Sequence, residues 1–385
     1  MDLAHRDLRD ESTRELLGLT RRIADEQLRP AVAAAERDGR FPREKFALLG
    51  EAGLLGLPYP ERLGGGGQSY EAYLQVIEEL AGAWLAVALG VSVHTLSCFP
   101  LVHAGTPAQQ ESWLPGMLGG GLLGAYCLSE PGSGSDASAL ATRATRDGDD
   151  FVLNGVKAWI SHGGEADFYS LFARTSGENS GPGRSRGISC FHVPAPAAGV
   201  SAAAPEHKMG LRSSVTAQVR FDGARVPAAH LVGEPGGGLR IALAALDAGR
   251  LGMAACATGL AQAALDAAVS YARERRQFGR PIIEFQGLGF MLADMATAVA
   301  AARALYLDAA RRKDAGLEFG QQAAMAKLFA SDAAMRVTTD AVQVLGGSGY
   351  VEDFPAERYL REAKVLQIVE GTNQIQRLVI SRGLA

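Results

Sequence analysis

The strongest constraint on the fold comes from four long helical patterns in the last part of the chain. In each pattern apolar residues recur with the spacing of one helix face, and glycine or proline separates one pattern from the next. The patterns cover about 239–276, from there to 313, 319–345 and 355–382, and Gly371 interrupts the last one. Helices of this length joined by short connections pack as a bundle. We therefore predict a four-helix bundle over residues 237–385.

Two zones precede the bundle, and their apolar residues recur with different periods. Residues 1–121 show shorter helical patterns, with helix start signals at Ser12, Ser69 and Thr106. Residues 122–236 show short strand-like runs instead, separated by turn signals. Regular alternation of strands and helices is missing, which argues against a doubly wound fold.

The middle zone has the pattern of a small β-domain. The strand-like runs are Phe151–Leu153, Phe168–Ala173, Ile188–Val193 and Ala217–Phe221. Asn154-Gly155 and Asp222-Gly223 have the residue types of two-residue hairpin turns, and 176–187 has the composition of a polar loop. Such a pattern predicts a small antiparallel barrel or sandwich. The expected fold class is α+β, mainly α, with a helical domain (1–121), a β-barrel domain (122–236) and a helix-bundle domain (237–385).

Composition excludes several classes of protein. Of the 385 residues, 47% are hydrophobic and 21% are charged, which is the profile of a globular chain. Lys and Arg total 38 against 42 Asp and Glu, for a net charge of −4. The chain therefore lacks the basic surface that nucleic-acid binding needs.

Apolar stretches and cysteines bear on the compartment. The most apolar stretch, Trp84–Val93, has about half the ~18 residues of a membrane span. The first residues alternate acids and bases, unlike a secretory signal or a transit peptide. Four scattered cysteines have neither disulfide nor zinc spacing. We therefore expect a reducing, cytoplasmic setting, with no membrane span and no metal site.

The densest candidate segment is YCLSEPGSGSD, residues 126–136. It places apolar residues and hydroxyls before a glycine-rich turn, whose free N–H groups could hold an anion or a planar ligand. The alternative is an ordinary Gly/Ser/Pro loop. Its GxGxxA spacing is a weak match to a dinucleotide-binding fold, because strands follow where a βαβ unit would continue.

Three further segments have residue types suited to chemistry. Lys157–Ser161 places a tryptophan beside a hydroxyl, which could flank a heteroaromatic ring or could be an ordinary core position. Arg273–Arg280 ends a long helix and could clamp a phosphate or only complement the helix dipole. Glu370 stands between apolar residues and Gly371. Burial would make it a general base, whereas an exposed Glu at a helix start would have no such role.

Together these segments resemble the acyl-CoA dehydrogenase family, flavoenzymes that introduce an α,β double bond into acyl thioesters. The resemblance covers essentially the whole chain and is carried, in order, by YCLSEPGSGSD, KAWIS, RRQFG, DAVQVLGGSGY and VEGTNQIQR. It implies FAD as cofactor, an acyl-CoA substrate, an electron transfer flavoprotein as electron acceptor and a homotetramer. It also implies a place in fatty acid metabolism or branched-chain amino acid degradation.

The resemblance also implies roles for particular residues. Glu370 matches the catalytic base, and Ser161 would bond the flavin near N5. The residues that would hold FAD, some of them across a subunit interface, are Tyr126, Cys127, Leu128, Ser129, Gly134, Ser135, Trp159, Ile160, Ser161, Arg275, Phe278, Gln286, Gln343, Val344, Leu345, Gly346, Gly347, Thr372, Asn373 and Gln374. The residues that would contact acyl-CoA are Ser135, Asp247, Arg250 and Gly371.

Several positions qualify the resemblance. Some family members place the base on the helix with the LDxxR pattern, but that position is Gly249 here, which leaves Glu370. Val369 occupies a position that is often Tyr, so the pocket near the thioester should differ in shape. Other stretches match short-chain members or short branched-chain members. We interpret His162, beside Ser161, as a spectator rather than an acid.

The leading hypothesis is an FAD-dependent short- or branched-chain acyl-CoA dehydrogenase that forms trans-2-enoyl-CoA. The alternatives are an acyl-carrier-protein-linked dehydrogenase of a biosynthetic pathway, an acyl-CoA oxidase, a flavin monooxygenase and a non-enzymatic scaffold. Oxidases of this fold tend to carry a further helical domain after the helix that follows the base. The present sequence ends shortly after the Glu370 helix, which disfavours an oxidase. The presence of Glu370 and Arg250 with the FAD segments disfavours a scaffold.

Overall fold

A computed structural model describes residues 10–175 and 187–384, so nearly all of the expected loop at 176–187 lies outside the described residues. Six helices come first: α1 Glu11–Ile23, α2 Arg29–Asp38, α3 Arg43–Glu51, α4 Tyr70–Ala83, α5 Leu85–Ala104 and α6 Pro107–Leu118. Ser69 and Thr106 cap α4 and α6 as predicted. The expected start at Ser12 is wrong, because the Asp10 carboxylate caps α1 by accepting from the N–H of Thr13 at 2.7 Å.

The middle of the chain forms one sheet. Its strands are β1 Gly124–Cys127, β2 Arg143–Asp147, β3 Asp150–Ser161, β4 Phe168–Arg174, β5 Ile188–Pro194, β6 Val200–Ala202, β7 Thr216–Pro227 and β8 Leu231–Val232. Seven of them pair in the order β6-β7-β3-β2-β4-β5-β8, and β1 pairs with β4. All four strand-like runs predicted from the sequence fall inside these strands.

The central sheet is confirmed, but its closure into a barrel is not shown. Among the described residues, the end strands β6 and β8 each pair with one neighbour. The sheet is also mixed rather than antiparallel throughout, because β1 and β2 both run parallel to β4. Parallel neighbours need a long connection, and here the chain forms β2 and β3 before it returns as β4.

The two expected hairpin turns are wrong. Asn154 and Gly155 lie inside β3, and Asp222 and Gly223 lie opposite them inside β7. The register shifts here, and Gly223, with φ 64°, donates its N–H to Asn154 Oδ1 at 2.9 Å. Residue types that suit a turn also suit a β-bulge, since both use a positive φ. The β2–β3 hairpin turns at Gly148 instead, with φ 61°.

The last part of the chain forms the expected helix bundle. Its helices are α7 Gly238–Glu274, α8 Gln286–Asp314, α9 Gly320–Leu345, α10 Ala356–Leu366 and α11 Asn373–Arg382, and the short strands β9 Arg276–Gln277 and β10 Arg280–Pro281 join α7 to α8. α7, α8 and α9 pack against one another, while α10 and α11 pack on α9. The fourth member is split at 367–372, around the predicted interruption at Gly371, which has φ 92°.

Three helices are long and apolar enough to cross a membrane by length and composition: α5, α7 and α8. This finding corrects the expectation that no apolar stretch is long enough. α5 and α7 are mostly buried, and they pack on each other and on α4. α8 differs, because 28% of its most apolar stretch is buried and apolar side chains such as Phe290 and Leu305 are exposed.

Candidate active site

A cavity of about 420 Å³ lies where the N-terminal helices, the sheet and the helix bundle meet. Its walls come from the loop after β1, the end of β3, helices α5 and α7, and the segment between α10 and α11. Of the residues expected to bind FAD or substrate, those that line it are Tyr126, Leu128, Ser129, Gly134, Ser135, Trp159, Ile160, Ser161, Arg250, Glu370, Gly371 and Thr372.

A buried ion pair holds the loop after β1 against the sheet. Lys157 Nζ donates to Glu130 Oε1 at 2.8 Å and to the carbonyl of Leu128 at 3.0 Å. Glu130 also accepts from the backbone N–H groups of Ala141 and Thr142. Burial opposes ionisation of Glu130, but Lys157 and these donors hold its pKa below the ordinary value. The loop that carries the cavity residues is therefore fixed by charge and hydrogen bonds.

A second β-bulge turns Trp159 into the cavity. The register of β3 with β7 shifts between Lys157 and Ile160, and Trp159 has φ 62°. Its side chain is 65% exposed, although the residue lies within a long strand. The Ser161 hydroxyl lines the same cavity. An exposed indole face with a hydroxyl nearby suits a planar heteroaromatic ligand.

Glu370 lies in the turn that separates α10 from α11. It has φ 52°, a conformation that is rare for residues with a side chain. Gln376 stabilises the turn by donating from Nε2 to the carbonyl of Gly371 at 2.8 Å, and Thr372 caps α11. The Glu370 carboxylate points into the cavity. Both of its oxygens are buried, and among the described residues they accept no hydrogen bond.

The surroundings of Glu370 change its acidity. Burial raises its pKa to about 7, because the ionised carboxylate loses its hydration, while Lys327 and Arg250 oppose the shift. Burial also lowers the pKa of Lys327 to about 8, and Glu370 opposes that shift. Lys327 Nζ donates to the carbonyl of Gly371 at 2.8 Å and to Asn373 Oδ1 at 2.9 Å. A carboxyl group with a pKa near 7 is suited to accept a proton at neutral pH.

Gly249 of α7 makes room for this carboxylate. A Cβ at position 249 would overlap Oε2 of Glu370. The Glu370 carboxylate therefore occupies the space into which a side chain at the alternative base position would grow. In the part of the chain that the structure describes, Glu370 is the one carboxylate that lines the cavity.

Arg250 follows Gly249 and brings a buried positive charge to the cavity wall. Its guanidinium donates to Asp247, while its Nε has no partner among the described residues. Asp247 itself lies outside the lining. Burial raises the pKa of Asp247, and Arg250 opposes the shift. Asp247, one of the residues expected to contact acyl-CoA, therefore does not line the cavity itself but binds Arg250, which does.

Three of the expected FAD residues have side chains outside the cavity. Cys127 follows Tyr126 on β1, and since side chains alternate across a strand, its thiol is buried in the sheet core. Asn373 is buried and accepts from Lys327. Gln374 is exposed at the start of α11.

A second group of expected FAD residues lies far from the cavity. It consists of Arg275, Phe278, Gln286, Gln343, Val344, Leu345, Gly346 and Gly347. Val344 and Leu345 are buried in the bundle, and the other six are exposed, Phe278 to 92%. At a rise of 1.5 Å per residue along α7, Arg275 lies roughly 37 Å from Arg250. A single chain does not bring the two groups together.

His162 also lies outside the cavity. Its Nδ1–H donates to the carbonyl of Gly124 at 2.9 Å, and its ring packs against Phe41 and Phe46. Burial lowers the pKa of His162 to about 4, so the ring is neutral at neutral pH. These contacts agree with the interpretation of His162 as a spectator.

Sequence reasoning missed two groups in the site. Lys327 is a lone lysine in an apolar stretch of α9, and that isolation is itself a signal of a buried, partnered charge. Leu89, Val93 and Leu96 of α5 form an apolar cavity wall. No sequence signal marks them, because nearly every side chain of α5 is buried.

The lining fits the flavin that the resemblance implies. It offers the Trp159 indole face, the hydroxyls of Ser129 and Ser161, and the open backbone at Gly134, where a Cβ would meet nothing within 4 Å. The unpartnered carboxylate of Glu370 faces the same space. A bound FAD supplies the electron acceptor for a redox reaction, which no side chain here provides.

Comparison with known proteins identifies the family. The N-terminal, middle and C-terminal domain models of acyl-CoA dehydrogenases match residues 10–121, 125–224 and 236–385. The mitochondrial short-chain specific acyl-CoA dehydrogenase of Mus musculus is 43% identical over 371 residues, which cover 96% of this chain and 89% of that protein.

Two solved structures share the whole fold. The butyryl-CoA dehydrogenase of Megasphaera elsdenii superposes with a TM-score of 0.95 at 39% identity, covering 99% of this chain and 100% of that one. A chain in the structure reported as "Electron transferring flavoprotein of Acidaminococcus fermentans: Towards a mechanism of flavin-based electron bifurcation" gives 0.96 at 42% identity, covering 99% of each chain. With all three domain models matched in order along one chain, the protein belongs to the acyl-CoA dehydrogenase family of FAD-dependent oxidoreductases.

Proposed function

We propose that this enzyme dehydrogenates a short- or branched-chain acyl-CoA to the trans-2-enoyl-CoA, with Glu370 as the base, and passes the electrons to an electron transfer flavoprotein. The observation that carries the proposal is the Glu370 carboxylate, which is buried and unpartnered and whose pKa is raised to about 7. It faces the same cavity as the surfaces suited to a flavin.

The first step is removal of a proton from the carbon next to the thioester carbonyl. That proton is a very weak acid, so a carboxylate can take it only if the developing negative charge on the thioester oxygen is stabilised. Among the described residues, the backbone N–H of Glu370 donates to no backbone acceptor, and it is free to donate to that oxygen. Gly371, with φ 92°, permits the turn that presents this N–H.

The cavity strengthens these interactions by excluding water. Leu89, Val93 and Leu96 form its apolar wall, so the charge that develops during proton removal lies in a medium of low dielectric constant. Bound FAD would accept the hydride from the neighbouring carbon. Arg250 and Lys327 supply positive charge near Glu370, which keeps a usable fraction of it ionised at neutral pH.

Support for a short or branched acyl chain comes from the residues around the base. Val369 stands beside Glu370 in the lining and presents a small β-branched side chain to the thioester region. The relative from Mus musculus is named short-chain specific, and the solved enzyme from Megasphaera elsdenii is named a butyryl-CoA dehydrogenase. We extend this preference to the present chain.

The proposed assembly is a homotetramer in which FAD binds between subunits. Arg275, Phe278 and Gln286 are exposed at the end of α7 remote from the cavity. α8 also exposes the apolar side chains of Phe290 and Leu305. An exposed apolar face of this kind is typical of a subunit contact. A neighbouring subunit could then supply the second group of FAD residues to this cavity.

The test is a substrate panel with the purified holoenzyme. Flavin reduction is followed anaerobically with straight-chain and branched acyl-CoA thioesters, and turnover is followed with a dye or with an electron transfer flavoprotein. We expect a yellow protein whose kcat/KM is highest for a short or branched chain. A maximum at long chains would contradict the substrate assignment, and hydrogen peroxide formed at the rate of substrate oxidation would indicate an oxidase.

A further inference from the structure

A second cavity, of about 330 Å³, lies next to the first on the Gly249 side of Glu370. Leu96 lines both cavities, and Gly249, which borders Glu370, lines the second. These shared walls put the second cavity within reach of an acyl chain whose α-carbon lies at Glu370. Its residues belong to α4, α5, α7, the end of α8 and the loop at 58–62.

The far end of this cavity is positively charged. Its lining contains Arg62 and Lys313 and no Asp or Glu. Neither side chain has an ion pair or hydrogen bond within the part of the chain that the structure describes. Lys313 Nζ instead lies 4.6 Å from the ring centre of Tyr70 and 5.4 Å from that of Phe319. Aromatic faces stabilise an ammonium group but do not neutralise it.

The acidic neighbour of Lys313 is already engaged. Asp314 accepts from the backbone N–H groups of Tyr70 and Glu71, at 2.7 and 3.0 Å, and so caps the start of α4. Burial lowers the pKa of Lys313, and Asp314 opposes that shift. A bound anion would remove the cost of this half-buried charge.

Tyr70 connects the charged end of the cavity with the catalytic end. Lys313 lies over one face of its ring, and its hydroxyl donates to the carbonyl of Ala248 at 2.9 Å. The next residue, Gly249, borders the carboxylate of Glu370. One tyrosine side chain therefore spans the wall between Lys313 and the base. This separation suits an acyl chain of a few carbons.

Three other polar side chains of the cavity have partners within the protein. Tyr59 donates its hydroxyl to the carbonyl of Thr95 at 2.6 Å, and Thr95 donates to the carbonyl of Val91 at 3.0 Å. His103 donates from Nδ1 to the carbonyl of Phe99 at 3.0 Å and stacks on its ring. The charged groups of the lining that are left to recognise a ligand are Arg62 and Lys313.

We propose that the second cavity takes the distal carboxylate of a short ω-carboxyacyl-CoA, the monothioester of a dicarboxylic acid, with Lys313 and Arg62 as the groups that recognise it. This inference rests on the proposed function, because it assumes that the acyl chain of a thioester substrate passes Glu370. An anion at this end pairs with charges that otherwise have no partner. An aliphatic chain end would leave both charges unpaired beside it.

The test compares thioesters matched in carbon number on the holoenzyme. Adipyl-CoA is compared with hexanoyl-CoA, and glutaryl-CoA with valeryl-CoA, as kcat/KM for flavin reduction. We expect the carboxylated member of at least one pair to be favoured by tenfold or more. Reduction by the unsubstituted thioesters with no preference for the carboxylated ones would overturn this inference and leave the proposed function intact. If no acyl-CoA reduces the flavin, both fail.

Variants of Lys313 and Arg62 test whether these two side chains cause the preference for a carboxylated acyl chain. Lys313→Gln and Arg62→Gln should each lower the ratio of adipyl-CoA to hexanoyl-CoA kcat/KM by at least tenfold, and Lys313→Glu should invert it. Arg312→Gln removes the same charge from the neighbouring position, which is outside the cavity lining, and should leave the ratio within twofold. A ratio unchanged in Lys313→Gln and Lys313→Glu, in protein that retains FAD, would overturn the proposal.

Discussion

A carboxylate at a protein surface is ionised at neutral pH and is a weak base, with a pKa of about 4.3. Glu370 differs because its turn forces the side chain into a cavity where burial raises its pKa to about 7. Lys327 and Arg250 limit the shift. At the scale of the residue, Glu370 is thus a stronger base than a surface carboxylate and is still partly ionised at neutral pH.

This balance predicts the pH dependence of catalysis. The base must be deprotonated, so the rate of flavin reduction by butyryl-CoA should rise with pH through the folded-state pKa of Glu370, by about tenfold between pH 6 and pH 8. Lys327→Met removes a positive charge that lowers the pKa of Glu370, so the midpoint should move to higher pH. Stopped-flow rates across pH check both, with exposed Lys364→Met as control. A midpoint that moves to lower pH in Lys327→Met would contradict the account.

Gly249 gives a prediction about position rather than charge. In Gly249→Ala the new Cβ overlaps Oε2 of Glu370, so the carboxylate must move from the cavity position it now holds. Flavin reduction should fall by about a hundredfold, the cost of a small misplacement of a reacting group. FAD content should stay the same, since Gly249 is outside the flavin-facing wall. Gly287→Ala, where a Cβ meets nothing within 4 Å, is the matched control. Equal rates in both variants would contradict this role.

At the scale of the element, the site depends on how β3 meets the loop after β1. Two bulges bend β3, and the second exposes Trp159 to the cavity. Lys157 and Glu130 fasten the loop beside it. The strand and the loop therefore act as one support for the flavin-facing wall.

Breaking that support should be costly. Lys157→Met leaves the Glu130 carboxylate buried without its partner, a change that typically destabilises a protein by about 3–5 kcal/mol. We expect a lower midpoint of thermal unfolding together with reduced FAD content. Arg225→Met removes exposed ion pairs with Asp147 and Asp150 in the same sheet, and such pairs add little to stability because water screens them. Unfolding midpoints that fall equally in the two variants would show that the buried pair stabilises the protein no more than the exposed pairs do.

The elements show what a sequence can reveal. Long helices such as α7 and α9 have an apolar periodicity and glycines at their ends, so their bounds were predictable to within a few residues. The Asn-Gly and Asp-Gly pairs were misread because a bulge and a hairpin use the same residue types, and only strand pairing decides between them. The exposure of Trp159 was unpredictable for the same reason, because it depends on a second bulge that only strand pairing reveals.

At the scale of the whole molecule, motif resemblance singled out Glu370 and nine of the expected FAD residues, and the fold brings all of them to one cavity. It did not predict Lys327, since contact between α9 and the 370–373 turn is tertiary. Nor could single-residue patterns place Cys127, whose thiol lies on the other face of β1. The distance between the two groups of FAD residues follows from α7, one continuous helix of 37 residues, whose length the apolar periodicity had already indicated.

That separation predicts a link between assembly and cofactor. Arg275→Ala should lower FAD occupancy after dialysis, and the loss should be greater at low protein concentration if a neighbouring subunit shares the site. Arg273→Ala, exposed near the same helix end and outside the expected FAD set, should retain FAD. Flavin absorbance and light scattering check this together. Flavin content that is the same in both variants would remove Arg275 from the site.

The central claim, that Glu370 is the base, is tested most directly by anaerobic stopped-flow bleaching of the flavin in Glu370→Gln. Glutamine keeps the shape of the side chain and loses its basicity, so FAD and acyl-CoA should still bind. General bases contribute about 10²–10⁴-fold, and no other carboxylate lines the cavity in the described residues, so the rate should fall toward the upper end of that range. Flavin reduction within a factor of a few of the wild-type rate, in variant protein that retains its FAD, would contradict the account.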